Sequence, residues 1–167
     1  SGGKPPYYNN LSKHVGDDIE TVMHNRRRFC SSLGIDISRL AHANQVHSAN
    51  VSVINEPGLY KECDALITAE EHLSLVISVA DCLPVMIYDN QKKIIANIHS
   101  GWRGTRLGIA RAAVEKMMVQ FGSLPEDMTA FIGPGISAEN FEVGQEVAEL
   151  LESKYVKKKK SQKFSAD

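Results

Sequence analysis

Apolar residues recur at helical spacing in two long segments of the chain. In the first, Asp17 is predicted to cap a helix with Glu20 three residues later, and Gly34 is well placed to end it. The apolar positions of this helix are Ile19, Val22, Met23, Phe29, Cys30 and Leu33. In the second segment Gly122 ends a helix whose predicted buried stripe is Leu107, Ala110, Val114, Met117, Met118 and Phe121. A last helix is predicted from Gly144 to about Tyr155.

Short runs of apolar residues predict strands between these helices. The predicted strands are 51–54, 65–68, 73–80, 84–88, 93–98 and 129–132. Strands and helices do not alternate strictly, and neither a repeat nor a linker divides the chain. The pattern therefore predicts one domain of the α+β class, or of the α/β class with antiparallel hairpins.

Composition narrows the class of protein and its partners. Hydrophobic residues make up 43% and charged residues 23%, and a net charge of -1 provides no basic field for nucleic acid. No apolar stretch is long enough to span a membrane, and the polar start argues against a signal peptide. Three cysteines favour a reducing compartment over a disulfide framework. We expect a cytoplasmic protein, with Cys30 in its core and Cys63 an incidental turn residue.

His47, Cys82 and His99 each lie at the end of a predicted strand, where side chains converge at one rim of a sheet. Two imidazoles and a thiolate suit zinc, and three ligands leave a fourth position open for water or substrate. Their spacing forms no local motif, so a buried cysteine and two hydrogen-bonded histidines are the alternative. Other histidines offer the same ligand chemistry, and only their positions along the chain argue against them as metal ligands. They are His14, His24, His42 and His72.

A second candidate site lies between a predicted strand and the predicted long helix. Glycines there let the backbone approach a ligand, the helix start favours an anion, and an arginine suits phosphate or carboxylate. The candidate residues for substrate or phosphate binding are Ser100, Gly101, Arg103, Gly104 and Thr105. A tight turn with a structural arginine is the alternative, and Trp102 fits either core packing or stacking on a base.

Asp81 is a candidate catalytic residue because it is adjacent to Cys82. A carboxylate beside a metal serves as a general base or orients a ligand. Adjacent residues of an extended strand point to opposite faces, so a bend after Cys82 is required to aim both side chains at one site. A turn-forming aspartate is the alternative.

Several short blocks occur together in one order. They are Asn44-Gln45-Val46-His47, Asp64-Ala65-Leu66-Ile67-Thr68, Ala80-Asp81-Cys82-Leu83-Pro84-Val85, His99-Ser100-Gly101-Trp102-Arg103-Gly104-Thr105, Ile132-Gly133-Pro134 and Phe141-Glu142-Val143-Gly144, preceded by His14-Val15-Gly16-Asp17-Asp18. These blocks closely resemble the YfiH/YlmD family, first labelled multicopper polyphenol oxidase or laccase and later purine nucleoside phosphorylase. The resemblance runs from about Gly2 to Val147. Members are usually longer, so we expect the chain to be incomplete at both ends.

The resemblance implies a four-layer α/β/β/α sandwich with mixed sheets, formed by residues 1–167 as a single domain. It implies that His47, Cys82 and His99 are the metal ligands. It also implies phosphorolysis of adenosine, inosine and methylthioadenosine, with adenosine deamination as well, so that the partners are a purine nucleoside and phosphate. For deamination we expect Asp81 to move the proton, as a carboxylate does in zinc deaminases. For phosphorolysis we expect Arg103 to hold the phosphate.

Two other functions fit the same residues. Two histidines and a cysteine near Met86 resemble a blue-copper site, so copper is possible. Reduction of oxygen, however, needs more copper centres than a chain with six histidines can supply. A non-catalytic zinc module tied to peptidoglycan editing is the other alternative, although an open three-ligand site differs from a structural zinc site. The sequence leaves a monomer and a homodimer equally open.

Overall fold

The computed structural model describes residues 8–13, 15–158 and 164–166, so His14 and the first seven residues lie outside the described part. The helices are α1 (Ile19–Ser32), α2 (Trp102–Arg106), α3 (Ile109–Phe121) and α4 (Gln145–Ala148), with 3₁₀ turns at Ile37–Arg39, Pro125–Asp127 and Ser153–Tyr155. The strands are β1 (Leu40–Ala43), β2 (Val51–Val53), β3 (Gly58–Tyr60), β4 (Ala65–Thr68), β5 (Ser74–Val76), β6 (Leu83–Asp89), β7 (Ile94–Ser100), β8 (Met128–Ile132), β9 (Glu142–Val143), β10 (Val156–Lys158) and β11 (Phe164–Ala166).

The strands form sheets of mixed orientation. The five-stranded sheet has the order β2-β4-β7-β6-β8, in which β2 and β4 are parallel and the other pairs are antiparallel. The three-stranded sheet has the order β3-β1-β5, with both pairs parallel. A small antiparallel sheet has the order β10-β11-β9. The predicted α+β class with mixed sheets is confirmed.

Two hydrophobic clusters separate the layers. The first joins α3 to one face of the five-stranded sheet and contains Ala65, Ile67, Val85, Ile87, Ile94, Ala96, Ile98, Ile109, Ala113 and Met117. Because successive residues of a strand face opposite sides, Leu66 points away from α3 into a second cluster with Ala41 of β1. The three-stranded sheet therefore packs on the far side of the five-stranded sheet.

The opposite face of β1 is covered by α1. Cys30 of α1 and Leu40 of β1 are both buried, and Arg26 donates a hydrogen bond to Nε2 of His42 at 2.9 Å. His42 alternates with the inward-facing Ala41, so this contact places α1 outside the three-stranded sheet. The layers thus run α3, sheet, sheet, α1, which agrees with the four-layer sandwich that the resemblance implied.

Helix α1 begins one residue later than the sequence analysis predicted. Asp18, and not Asp17, is the N-cap: its Oδ2 accepts hydrogen bonds from the backbone N–H and the hydroxyl of Thr21, both at 2.8 Å. These bonds stabilise the ionised carboxyl and lower the pKa of Asp18. The predicted end is confirmed, since Gly34 has a φ of 68° and its N–H bonds the carbonyl of Ser31.

Several predicted core positions of the helices are exposed. In α1 only Val22 and Cys30 of the predicted apolar positions are buried, while Phe29 is 51% exposed. The predicted second helix is divided by Gly108, whose φ of 75° leaves Leu107 in the exposed connection between α2 and α3. Met117 is buried as predicted.

Other predictions were wrong in position or length. Cys63 is 1% exposed and belongs to the second cluster, so it is a core residue and not an incidental turn residue. The last predicted helix ends at Ala148 instead of Tyr155. Among the described residues, no helix combines the length and the hydrophobicity needed to cross a bilayer.

Candidate metal centre

The three residues predicted to bind a metal come together at one edge of the five-stranded sheet. His47 lies in the connection between β1 and β2, Cys82 directly precedes β6, and His99 is the penultimate residue of β7. One ligand atom from each lies within 4.8 Å of the other two. The His47 and His99 rings meet edge to face, with centroids 4.8 Å apart. Within the described part of the chain this is the one such cluster of three ligand-type side chains.

The pairing of β7 explains the convergence. Leu83 pairs with Ser100, which places Cys82 beside Gly101 at the open end of the β6–β7 hairpin, opposite its turn. On the other side β4 pairs with β7, and the N–H of His99 bonds the carbonyl of Asp64 at 2.7 Å. The register of a single strand therefore brings Cys82, His99 and Asp64 to one place.

Asp64 is bonded to this cluster but was not among the site residues predicted from the sequence. Its carboxylate is fully buried, and its Oδ1 lies 2.8 Å from Nδ1 of His99. With Nδ1–H directed at the carboxylate, Nε2 of His99 is left as the ring nitrogen that can bind a metal. The signal in the sequence was an aspartate placed directly before a strand of three apolar residues and a threonine.

Asp64 also holds the loop that carries His47. Its carboxylate accepts hydrogen bonds from the backbone N–H groups of Val46, His47 and Ser48, at 3.2, 3.0 and 2.7 Å, and from the Ser48 hydroxyl at 2.8 Å. His47 itself has a φ of 59°, a conformation that few non-glycine residues adopt. Three consecutive N–H groups directed at one anion compensate for this strain.

The electrostatics of the cluster suit a cation. Burial raises the pKa of Cys82, and the carboxylates of Asp81 and Asp64 raise it further. Burial alone would also raise the pKa of Asp64, but the hydrogen bonds from His99, Ser48 and Val46 outweigh it and keep the carboxyl ionised. A cation bound here would favour the thiolate of Cys82 and interact with both carboxylates.

Gly101 provides the space for the three donors. A Cβ at this position would lie 3.0 Å from Sγ of Cys82 and 3.1 Å from Cδ2 of His47. Any side chain here would therefore require Cys82 and His47 to shift by a few tenths of an ångström. Together with two imidazoles and a thiol, this space fits a borderline-soft ion such as zinc, which binds through nitrogen and sulfur.

A cavity of about 190 Å³ opens beside Cys82. Its lining combines polar, aromatic and aliphatic side chains: Asp81, Cys82, Ser100 and Thr105, then Trp102 and Phe141, and then Leu83, Ile136, Ala138 and Leu151. The chain bends at residues 80–82, so that Asp81 and Cys82 line the same cavity despite being adjacent in sequence. Asp81 is exposed, and its carbonyl accepts the N–H of Ile136 at 2.9 Å.

The candidate anion-binding segment has a different geometry from the one predicted. The helix that follows it, α2, has only five residues, so its dipole offers little for an anion. The Thr105 hydroxyl bonds the Gly101 carbonyl at 3.0 Å and lies 2.8 Å from Oγ of Ser100. A Cβ at Gly104 would lie 3.0 Å from the carbonyl of Ser48, so this glycine permits close packing of α2 against the loop that carries His47.

Arg103 and Trp102 act as a pair. The guanidinium carbon of Arg103 lies 4.4 Å from the centroid of the Trp102 ring, which is the geometry of a cation–π contact. Trp102 is half-buried and lines the cavity, whereas Arg103 is exposed. The structure thus places Arg103 at the outer side of Trp102 and not among the residues that line the cavity.

The remaining candidate ligands lie apart from the cluster. His42 contacts Arg26, and its pKa is lowered by burial and by the charges of Arg26 and Lys13. His24 and His72 are exposed in α1 and in a turn. Met86 lines a separate surface depression with Tyr88 and Phe131, which contains none of the three donors.

Comparison with known proteins assigns the chain to a family. The family model described as multi-copper polyphenol oxidoreductase laccase matches residues 2–167. The chain belongs to this family. A purine nucleoside phosphorylase of Mycobacterium tuberculosis is 35% identical over 152 residues, 89% of this chain and 60% of that protein. Adenosine deaminase RL5, from an unknown prokaryotic organism, is 37% identical and covers 85% of this chain and 58% of its own length.

A solved structure of the family agrees with the fold. The YfiH protein of Bacillus licheniformis superposes with a TM-score of 0.91 at 28% identity, over 98% of this chain and 68% of its own. The chain thus spans about 60% of the length of the curated relatives it matches. These relatives carry the names of enzymes, which supports an enzyme of this family.

Proposed function

We propose that the protein is a zinc-dependent enzyme acting on purine nucleosides, with phosphorolysis of adenosine, inosine and methylthioadenosine and deamination of adenosine. The observation that carries the proposal is the convergence of His47, Cys82 and His99 beside a cavity with polar, aromatic and aliphatic walls. The names of the relatives supply the nucleoside class of the substrate.

The side chains divide into those that hold the metal and those that contact the substrate. His47, His99 and Cys82 hold zinc, and Asp64 orients His99. When bound, zinc supplies Lewis-acid activation at neutral pH. In the cavity, Trp102 and Phe141 provide apolar faces for a base. A volume of about 190 Å³ is small for a whole nucleoside, since ligand pockets usually measure roughly 300–1,000 Å³. We therefore assign this cavity to one half of the substrate.

Deamination requires a proton carrier beside the reacting carbon. Water adds to the purine carbon that bears the amine, the carbon–nitrogen bond breaks, and ammonia leaves. Asp81 lines the cavity next to Cys82, so its carboxylate is suited to accept the proton of the water and to pass it to the leaving nitrogen.

Phosphorolysis requires an anion held against the ribose. A phosphate oxygen forms a bond to the anomeric carbon while the bond to the base nitrogen breaks. The proton of the hydrogen phosphate passes to that nitrogen, which gives the 1-phosphate of the sugar and the free base. Ser100 and Thr105 line the cavity, and Gly101 lies against the donor cluster. Gly104 is buried against the carbonyl of Ser48 and supports this segment from behind. Arg103 is the cation at the outer side of the cavity, and we propose that it contacts the phosphate.

Copper-dependent oxidation of phenols is the second candidate, because the family description names it. That chemistry needs several copper centres. The part of the chain that the structure describes contains one cluster of three ligand-type side chains, and Met86 lies in a different depression. These observations favour the single-metal nucleoside enzyme over the oxidase and over a purely structural zinc module, which uses four protein ligands.

The remaining expectations belong to the same proposal. We assign residues 1–167 to one domain, with no nucleic-acid or membrane partner, as a monomer or a homodimer. A cytoplasmic location fits the three cysteines, all of which are free thiols.

Product analysis tests the proposal directly. The zinc-loaded protein is incubated with adenosine, with and without phosphate, and the products are separated by chromatography. Cys82→Ala is the test variant, and Cys30→Ala, which removes a thiol distant from the cluster, is the control. Adenine formed only with phosphate indicates phosphorolysis, and inosine indicates deamination. Absence of any product, or equal product from Cys82→Ala, contradicts the proposal.

A further inference from the structure

Two of the three metal-binding side chains lie on connections between strands, and these connections start side by side. His47 follows β1 and Cys82 follows β5, and the two strands are parallel neighbours. Their backbone pairing ends at His42 and Val76. Beyond this point the main chains no longer form ladder bonds with each other.

Gln45 continues the pairing with its side chain. Its Nε2–H₂ group donates to the carbonyl of Ser78 at 2.8 Å, and its Oε1 accepts the N–H of Ser78 at 2.7 Å. A primary amide has the same donor and acceptor as a peptide group, so this contact resembles one more pair in the ladder. It joins the residue two positions before His47 to the residue four positions before Cys82.

The contact complements the anchor that Asp64 provides. Asp64 bonds His99 and the three N–H groups of residues 46–48, so it fixes the two histidines relative to each other. Cys82 is held on its C-terminal side by the pairing of Leu83 with Ser100. On its N-terminal side the carbonyl of Asp81 accepts the N–H of Ile136 at 2.9 Å. Residues 77–80 before it belong to no strand, and the bonds to Gln45 connect them to the His47 loop.

We propose that Gln45 is a positioning residue for the metal site, which keeps Sγ of Cys82 within reach of both imidazoles. This inference rests on the proposed metal site. Without the two amide bonds the Cys82 loop samples a wider range of positions, and a metal must restrict that range when it binds. Loss of a residue that orients a ligand typically lowers metal affinity by about 10–100-fold. Because Gln45 acts on a loop, we expect about a 10-fold loss.

Two variants and one control separate positioning from other effects. Gln45→Met preserves the length of the side chain and removes both hydrogen bonds. Gln45→Glu retains an acceptor for the Ser78 N–H but places a carboxylate oxygen against the Ser78 carbonyl, where no hydrogen bond can form. The added negative charge, taken alone, would strengthen the binding of a cation. Gln120→Met places the same substitution on the exposed surface of α3.

The readouts are zinc affinity, measured by competition with a chromophoric chelator, and the thiolate-to-metal absorption of the Co²⁺-loaded protein. We expect zinc to bind both Gln45 variants more weakly, Gln45→Met by about 10-fold, with a weaker thiolate band per bound Co²⁺. Thermal unfolding of the metal-free proteins should change little, since the amide contact is exposed. Unchanged affinity and an unchanged thiolate band in both variants would overturn the role of Gln45. Failure of the parent protein to bind zinc would overturn the metal site itself.

Discussion

Replacement of Asp64 by asparagine is the most informative single change in this protein. The carboxylate is fully buried and accepts hydrogen bonds from three consecutive backbone N–H groups, from the Ser48 hydroxyl and from His99. Asparagine keeps the shape but converts one of the two acceptor oxygens into a donor. At least one buried donor therefore loses its partner, whichever way the amide is oriented.

The size of the effect follows from the positions of the two oxygens. Oδ1 faces the N–H of His47 and the ring of His99, whereas Oδ2 faces the three other donors. In the less costly orientation the amide nitrogen takes the place of Oδ1. The His47 N–H is then unpaired, and the remaining hydrogen bonds no longer have a charged acceptor. An unpaired buried donor costs about 1–3 kcal/mol, and the loss of the charge on the acceptor adds to this cost. We therefore expect the free energy of unfolding to fall by about 2–4 kcal/mol.

The same substitution changes the tautomer of His99. An amide NH₂ donates to Nδ1, which moves the ring proton to Nε2 and removes the lone pair that would bind the metal. We therefore expect zinc affinity to fall by about 10–100-fold, as for other residues that orient a ligand.

Urea unfolding of the metal-free protein and zinc competition measure the two effects separately. Asp36→Asn is the matched control: Asp36 is an exposed N-cap that accepts from Ser38, and asparagine serves as an N-cap equally well. The reasoning is refuted if Asp64→Asn unfolds at the parent's urea concentration and binds zinc as tightly as the parent does.

Four other changes test separate parts of the structure. Gly101→Ala should weaken zinc binding by more than about 10-fold, because its Cβ would lie 3.0 Å from Sγ of Cys82. Gly34→Ala is the control: it is strained by a φ of 68° but lies in open space, so it should lower stability without changing zinc affinity. In the metal-free protein iodoacetamide should modify Cys82 before the two buried cysteines, and zinc should protect it, as mass spectrometry of the peptides can show. Asp18→Ala should destabilise α1 at neutral pH, measured by urea unfolding. The difference should shrink as pH falls through the lowered pKa of Asp18, because the ionised carboxylate is the stronger hydrogen-bond acceptor. Met117→Ala should cost about 2–5 kcal/mol by the same assay, since it empties a fully buried position between α3 and the sheet.

The local sequence pattern was sufficient to predict those helices and strands whose conformation depends mainly on their own residues. The end of α1 was predicted because Gly34 can adopt a positive φ, and the strand at 65–68 was predicted from its run of apolar and β-branched residues. The strand Leu40–Ala43 was not predicted, since two of its four residues are alanine and its pairing partners are distant in sequence. Cys63 was misjudged for the same reason: its burial depends on a sheet that packs over it.

The sequence by itself identified the residues that could bind a metal. His47, Cys82 and His99 were identified by residue type, by their places at strand ends and by the blocks shared with the family, and the structure brings their donor atoms together. Asp64 and Gln45 stood within the same blocks, but no local rule distinguished them from residues that form a turn.

Only the tertiary structure decided how these residues are held. The role of Asp64 depends on the register of β4 against β7, and that of Gln45 on the neighbouring positions of β1 and β5. Register arises from the burial of one face of each strand against the rest of the protein, and a shift by one residue would turn every side chain to the opposite face. Such contacts join residues far apart in the chain, so their spacing in the sequence carries no sign of them.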